Sequence, residues 1–376
     1  VVGAILGAVI DIRLFQSGWI AGFWLTLSFA LLAGFFVGIG YTAHAHWYVS
    51  VRRIAEAMMA WIPYAAGLGL VAVGFLFVGE QSVFDHWLHP HGTHAAVILK
   101  KGWWLNSTRF IITYAVIIGL LMVLAAKLVN NSRAQDVDGD PEYTWRNRAL
   151  GPAYLAVFAL GYSALAVDFV MSLQPTWFST MWGVYMFAGA WQSTLALICL
   201  TAVLLIERKA ISSRLVNENH VHDLGKFTFA FTIFYAYIAF CQFLLIWYAE
   251  LPEETTFYDV RMDHGWGTFS WILIFAKFVI PFLWLLRHGI KRMGKSLKGA
   301  CTFIILAEIF ELWWLVGPAV RDGTAHPGPG IPFIEIMIIC GFIGGFLLVA
   351  SKALASHNLV PIKDPQLHDC VNHHQL

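Results

Sequence analysis

The sequence predicts an all-α, polytopic integral membrane protein of about ten transmembrane helices, and three observations carry that reading. Hydrophobic residues make up 59% of the 376 and charged residues only 12%, against about 45–50% and about 25% in soluble domains. Mean hydropathy over the whole chain is +0.66, which leaves too little polar surface to cover a soluble globule. The apolar residues also fall into runs of the ~20 residues that cross a ~30 Å hydrocarbon core.

Taken in order, the opening Val1–Ile10 is apolar and ends at Asp11. It reads as the tail of a helix that starts upstream, and it lacks the charged start and small-residue cleavage site of a signal peptide. Nine runs follow: Trp19–Ala43, Ala57–Gly79, Thr108–Leu128, Gly151–Leu173, Thr180–Ile206, Phe227–Tyr248, Thr268–Leu286, Ala300–Val316 and Pro332–Ala353. Pro63 and Pro281 fall inside runs and are expected to kink them. The organisation expected is one transmembrane domain of two four-helix bundles plus a peripheral helix pair. Residues 1–12 end the first helix, 19–173 form the first bundle, 180–318 the second, 332–354 the last helix and 355–376 a cytoplasmic tail.

Lys and Arg set the orientation, because short cytoplasmic loops retain them. Connections after even-numbered helices hold 17 basic residues and the odd ones 6, with Lys277 in mid-span. The even connections and the C-terminus therefore face the cytoplasm. The long polar connection Asn130–Asn147 is on that side, and Gly79–Asn106 and the acidic Glu250–His264 are outside. A formal net charge of +1 gives no reason to invoke nucleic acid.

An ionisable group inside the bilayer is costly unless paired or hydrated, which makes it a functional candidate. Two residues on antiparallel neighbours lie level when their midpoint coincides with the loop centre. Arg109 and Asp168 have their midpoint at 138.5, the centre of Asn130–Asn147. They should pair near the outer face, either as a static strap or with Asp168 in a proton path. Lys277 and Glu308 have their midpoint at 292.5, which places both near mid-bilayer. Glu311 follows one turn on, on the same helix face. One Lys facing two Glu leaves a carboxyl without a full partner and able to exchange protons, unless the group is neutral glue between helices. His222 and Asp223 open the next cytoplasmic helix start, where Asp223 is either an N-cap or part of a proton approach. Glu250 is either an acidic exit or a solvated loop residue.

None of the fifteen His lies deep in a run, which disfavours a transmembrane b-type haem. His86, His89, His91 and His94 read as a polar loop rather than a metal site. The five Cys show no C-x-x-C spacing, so no iron–sulfur cluster or covalent haem is expected on this chain. Most aromatic residues will form interface belts, but Trp177, Trp182, Tyr185, Trp247 and Tyr248 are candidates to line a quinone cleft.

Two segments carry a resemblance: FVMSLQPTWFSTMWGVYMFAGAW at Phe169–Trp191 and HDLGKFTFAFTIFYAYIAFCQFLLIWYAELPEET at His222–Thr255, with WLNSTRF at Trp104–Phe110. They resemble the NrfD/PsrC-like membrane subunits of bacterial alternative complex III, a quinol:electron-acceptor oxidoreductase, and are most similar to its F-type (quinone-binding subunit 2) branch. The resemblance implies ten helices, no redox cofactor on this chain, and menaquinone as the candidate ligand. It also implies partner chains: iron–sulfur and c-haem subunits and a homologous C subunit. The setting it implies is the bacterial cytoplasmic membrane. In that family the outer turn usually reads M-S-L-E-P-H-W-F-S-T, whereas here the Glu and His positions hold Gln174 and Thr176. Quinol oxidation needs a proton acceptor beside the hydroxyl, so the departure favours a proton-moving or scaffolding subunit over a direct quinol site. A stand-alone transporter would show matched broken helices in two halves, and Pro63 and Pro281 are not matched.

The basic-residue asymmetry yields a direct test. A Cys placed at Gly139 should be labelled by maleimide only after the cells are permeabilised. Labelling by an impermeant reagent in intact cells would reverse the orientation.

Overall fold

The computed structural model describes residues 11–92, 94–291, 294–322 and 327–372. Among them, nine helices are long and apolar enough to cross a membrane, and no strand occurs. They are α1 (Ile12–Thr42), α2 (Arg52–Phe77), α3 (Ser107–Asp138), α4 (Glu142–Leu173), α5 (Trp182–Glu207), α6 (Glu218–Ala249), α7 (Trp266–Leu286), α8 (Lys295–Arg321) and α9 (Phe333–Ala355). This is an all-α, multi-pass membrane protein. The nine correspond one to one with the nine runs after Val1–Ile10, and that opening segment lies outside the described residues.

Local chemistry fixes the helix ends. The Asp11 carboxylate accepts from the Arg13 and Leu14 amides at 2.9 and 3.2 Å, and Asn106 does the same for Thr108 and Arg109 at 2.9 and 3.2 Å. Both satisfy amides that have no partner within the helix. α3 and α4 run on past their apolar stretches, so the expected loop Asn130–Asn147 is reduced to Gly139–Pro141. Gly139 makes that tight connection at φ 79°, a left-handed conformation that glycine adopts without a Cβ clash. Pro63 has the expected effect, since α2 breaks at Ala60–Trp61 just before it. The expected outer loop Glu250–His264 contains a helix of its own, Pro252–Met262.

Helices α1–α4 pack in a ring, with α1 against α2 and α4, α3 against α4, and α2 meeting α3. Helices α5–α8 form a second ring in the same pattern. α1 also touches α5 and α8 along the seam, and α9 lies outside against α1 and α2. α1 is thus the most enclosed span, and its small residues allow close approach. A Cβ on Gly151 of α4 would stand 2.9 Å from the Gly38 carbonyl. On α4, Tyr154 donates to Leu31 O at 2.8 Å, and the Tyr162 hydroxyl pairs with Ser28 Oγ at 2.9 Å.

Connections alternate between two faces, here termed the tail face, which carries residues 356–372, and the far face. On the tail face the chain end straps both rings. Asp364 pairs with Arg52 at 2.8 Å with both side chains fully enclosed. Lys363 donates to Val137 O at 2.5 Å, and Cys370 O sits 3.0 Å from His220 Nε2 of α6. Arg52 and Arg53 share Glu56, and Arg53 also meets Asp136 at 2.5 Å.

Loss of Asp364 would leave Arg52 with Glu56, the carboxylate it shares with Arg53, and would leave a buried guanidinium donor without its acceptor. Asp364→Ala should therefore lower stability by about 2 kcal/mol, read as a lower midpoint of detergent unfolding. An unchanged midpoint would mean the tail does not clamp the helices.

Candidate functional site

Pro281 organises the site by what it lacks. It has no amide hydrogen, so the carbonyl four residues earlier, that of Lys277, loses its usual helical donor. α7 responds with a π-helical turn at Phe275–Val279, a local widening often found at functional positions. Gln192 of α5 donates to the freed Lys277 carbonyl at 3.3 Å and to Thr232 Oγ1 of α6 at 2.8 Å. The expected kink at Pro281 is thus a π turn that presents Lys277 to the bundle interior, where it is 1% exposed.

Four helices meet at this point. Lys277 Nζ pairs with Glu308 Oε2 and with Glu311 Oε2 of α8, the latter at 2.9 Å. The second oxygen of Glu311 accepts from Tyr235 of α6 at 2.6 Å and from Tyr185 of α5. Lys277 Nζ lies 4.5 Å over the Tyr235 ring, a favourable place for a cation. Gly189 of α5 makes room, since a Cβ there would stand 3.0 Å from Glu311 Oε2 and 3.3 Å from Lys277 Nζ. The two carboxylates differ. Glu311 is held on both oxygens by three side chains, while the ion-pair partner of Glu308 is Lys277. With all three ions charged the group carries one net negative charge, and one proton taken up makes it neutral.

Arg109 and Asp168 also meet as the hairpin geometry predicts. Arg109 Nη1 and Nη2 donate to the two carboxylate oxygens at 2.8 and 2.7 Å. Trp104 Nε1 donates to Asp168 at 3.1 Å, and the guanidinium lies 4.3 Å over the Trp104 ring. This pair is in the first ring, apart from the Lys277 group.

The remaining candidates scatter. α6 starts at Glu218, not at His222: Asn217 and His220 form a capping box, stronger than a lone Asp223 because two backbone donors are satisfied reciprocally. His222 is buried on α6, and Asp223 pairs with Lys226 at 2.9 Å. Glu250 is an exposed residue in the left-handed conformation that ends α6. Trp177 and Trp182 meet edge to face at 5.4 Å, and Trp182 and Tyr185 at 5.6 Å. Trp247 and Tyr248 are 64% and 84% exposed, so the five aromatic candidates do not line one cleft.

Three contributors escape the sequence reading: Tyr235, Gln192 and Arg261. Thr228, Thr232 and Tyr235 recur at helical spacing on one buried face of α6, and that polar stripe in an apolar run is the signal that points to Tyr235. Arg261 reads as a loop charge, yet it is 2% exposed. Its guanidinium lies 3.6 Å over the Phe257 ring. Burial pulls its pKa down to about 9, still above neutral, so it remains a cation.

No protein-family model matches the chain, and none of the curated proteins matches it.

The Arg109–Asp168 geometry gives a double-mutant prediction. Asp168→Asn or Arg109→Gln alone should destabilise by about 3 kcal/mol, and the double variant by clearly less than the sum, because a stranded buried charge costs more than none. Additive losses in thermal unfolding would rule out the pair.

Proposed function

We propose that this chain is an integral membrane subunit of a quinol:electron-acceptor oxidoreductase of the alternative complex III type, of the F-subunit kind. It carries no redox cofactor and contributes a proton pathway. The observation that supports the proton role is the buried Lys277–Glu308–Glu311 group with its two tyrosines. A membrane interior needs no such convergence of ions for stability, since apolar packing of the same volume serves as well or better. The segments that carry the resemblance supply both tyrosines, Tyr185 within Phe169–Trp191 and Tyr235 within His222–Thr255.

In this reading the tail face is cytoplasmic, and the membrane is the bacterial cytoplasmic membrane. Protons approach beside His222 and Asp223 and follow the Thr228, Thr232 and Tyr235 face of α6 to the carboxylates, with ordered water bridging the gaps. Asp168, held by Arg109 and Trp104, is a strap rather than a relay. Electrons stay on the partner iron–sulfur and c-haem subunits, and menaquinol is oxidised elsewhere in the complex. The second reading, a direct quinone-binding subunit, draws on the Trp177–Trp182–Tyr185 aromatic cluster. Gln174 and Thr176 supply no titratable acceptor beside it, which is why the proton-path reading stands first.

The test replaces Glu308 by Gln, which keeps shape, removes one titrating group and leaves Lys277 paired with Glu311. The complex should assemble and oxidise quinol, but with reduced charge separation per electron in vesicles. Unchanged charge separation in the assembled variant would reduce the group to helix glue.

A further inference from the structure

Arg261 is a buried cation whose partners are all neutral. Nη1 donates to Phe257 O at 2.8 Å and Gln174 Oε1 at 3.2 Å, and Nη2 donates to Leu315 O at 2.6 Å. Its Nε has no partner, and no carboxylate of the described residues lies within ion-pair distance. Other buried basic side chains do have one: Arg52 meets Asp364, Arg53 meets Asp136, Lys277 meets Glu308 and Arg321 meets Glu335. Lys291, on the tail face, reaches the Leu285 and Leu286 carbonyls at 2.8 and 3.3 Å. Those carbonyls end α7, where a cation is matched by the negative end of the helix dipole.

The position of Arg261 gives its charge a consequence. Its acceptor Leu315 lies one turn beyond Glu311 on α8, about 6 Å along the axis. Arg261 therefore stands on the far-face side of the proton-exchanging group. A continuous chain of aromatic contacts joins the two. Phe257, beneath the guanidinium, stacks on Trp177 at 4.3 Å, Trp177 meets Trp182, and Trp182 meets Tyr185, which donates to Glu311. Toward the tail face the same group is flanked by the hydroxyls of Thr232 and Thr228. A proton moving to the far face thus meets a fixed positive charge in apolar surroundings, where repulsion is barely screened. Fixed arginines exclude protons and cations from membrane pores by the same means.

We infer that Arg261 is an electrostatic seal: in the resting complex it closes the far-face half of the second helix ring to protons, so that between turnovers the Lys277–Glu308–Glu311 group exchanges with the tail face alone and no passive leak runs through it. The inference rests on the proton-path reading of that group and adds its direction.

The experiment uses the intact complex in liposomes. A potassium gradient with valinomycin drives protons inward, and an enclosed pH dye records the passive flux. Arg261→Gln should raise the flux at least several-fold, and Arg261→Lys, which keeps the charge, should stay near wild type. Gln174→Glu keeps the side-chain shape and hands Arg261 a carboxylate. It should raise the flux too, which keeps the test open if Arg261→Gln fails to assemble. Adding Glu308→Gln to either leaky variant should abolish the increase. Wild-type flux in both Arg261→Gln and Gln174→Glu would overturn the seal. So would a leak in Arg261→Lys equal to that in Arg261→Gln, which would mark a packing defect. A leak that survives Glu308→Gln would show that protons bypass the group. If Glu308→Gln lowers charge separation while the Arg261 and Gln174 variants stay tight, the proton path stands and the seal alone fails.

Discussion

Lys277 and its two carboxylates impose the strictest constraint on this fold. Three ions in an apolar interior are tolerable only when each meets an opposite charge or a hydroxyl at close range. Lys277 comes from α7, Glu308 and Glu311 from α8, Tyr185 from α5 and Tyr235 from α6. A one-turn shift of α7 or α8 strands a charge and one of α5 or α6 removes a hydroxyl from Glu311, so the second ring is held in register by its polar centre. The lipid-facing surfaces provide no comparable constraint, because tails are as apolar as the side chains they would replace.

The first ring and the two faces act as a frame around that centre. α1 bridges both rings with closely packed small residues. The tail strap joins Arg52 of α2 to Asp364 and His220 of α6 to Cys370, tying the rings together on one face. On the other face Lys101 donates to Pro175 O at 2.6 Å and Gln174 donates to Thr256 O at 3.1 Å. These ties tether the helix ends on both sides of the Lys277 group.

How much of this the sequence reveals depends on the signal. Span number and placement are legible because the bilayer demands long apolar runs. The Arg109–Asp168 and Lys277–Glu308 pairs are legible because charges are rare in such runs and hairpin symmetry gives their depth. The partners of Glu311 are less so: hydropathy does not mark which side of a uniformly apolar helix faces inward, and Tyr185 reads equally well as a cleft residue. Asp223 is misplaced because capping is decided by which residue also satisfies a second donor, and Asn217 with His220 does so. Trp247 and Tyr248 look like cleft residues in sequence but sit on the exposed side of α6. Arg261 is hidden because the acidic segment around it folds as a helix that packs its one arginine inward.

The central claim is that Glu308 changes protonation while the complex works. Turnover-induced infrared difference spectroscopy on the intact complex tests it most directly. The account predicts a carboxyl C=O band that appears on quinol oxidation, shifts in D2O and vanishes in Glu308→Gln. A difference spectrum with no carboxyl band that depends on Glu308, recorded from a complex oxidising quinol at full rate, would contradict it.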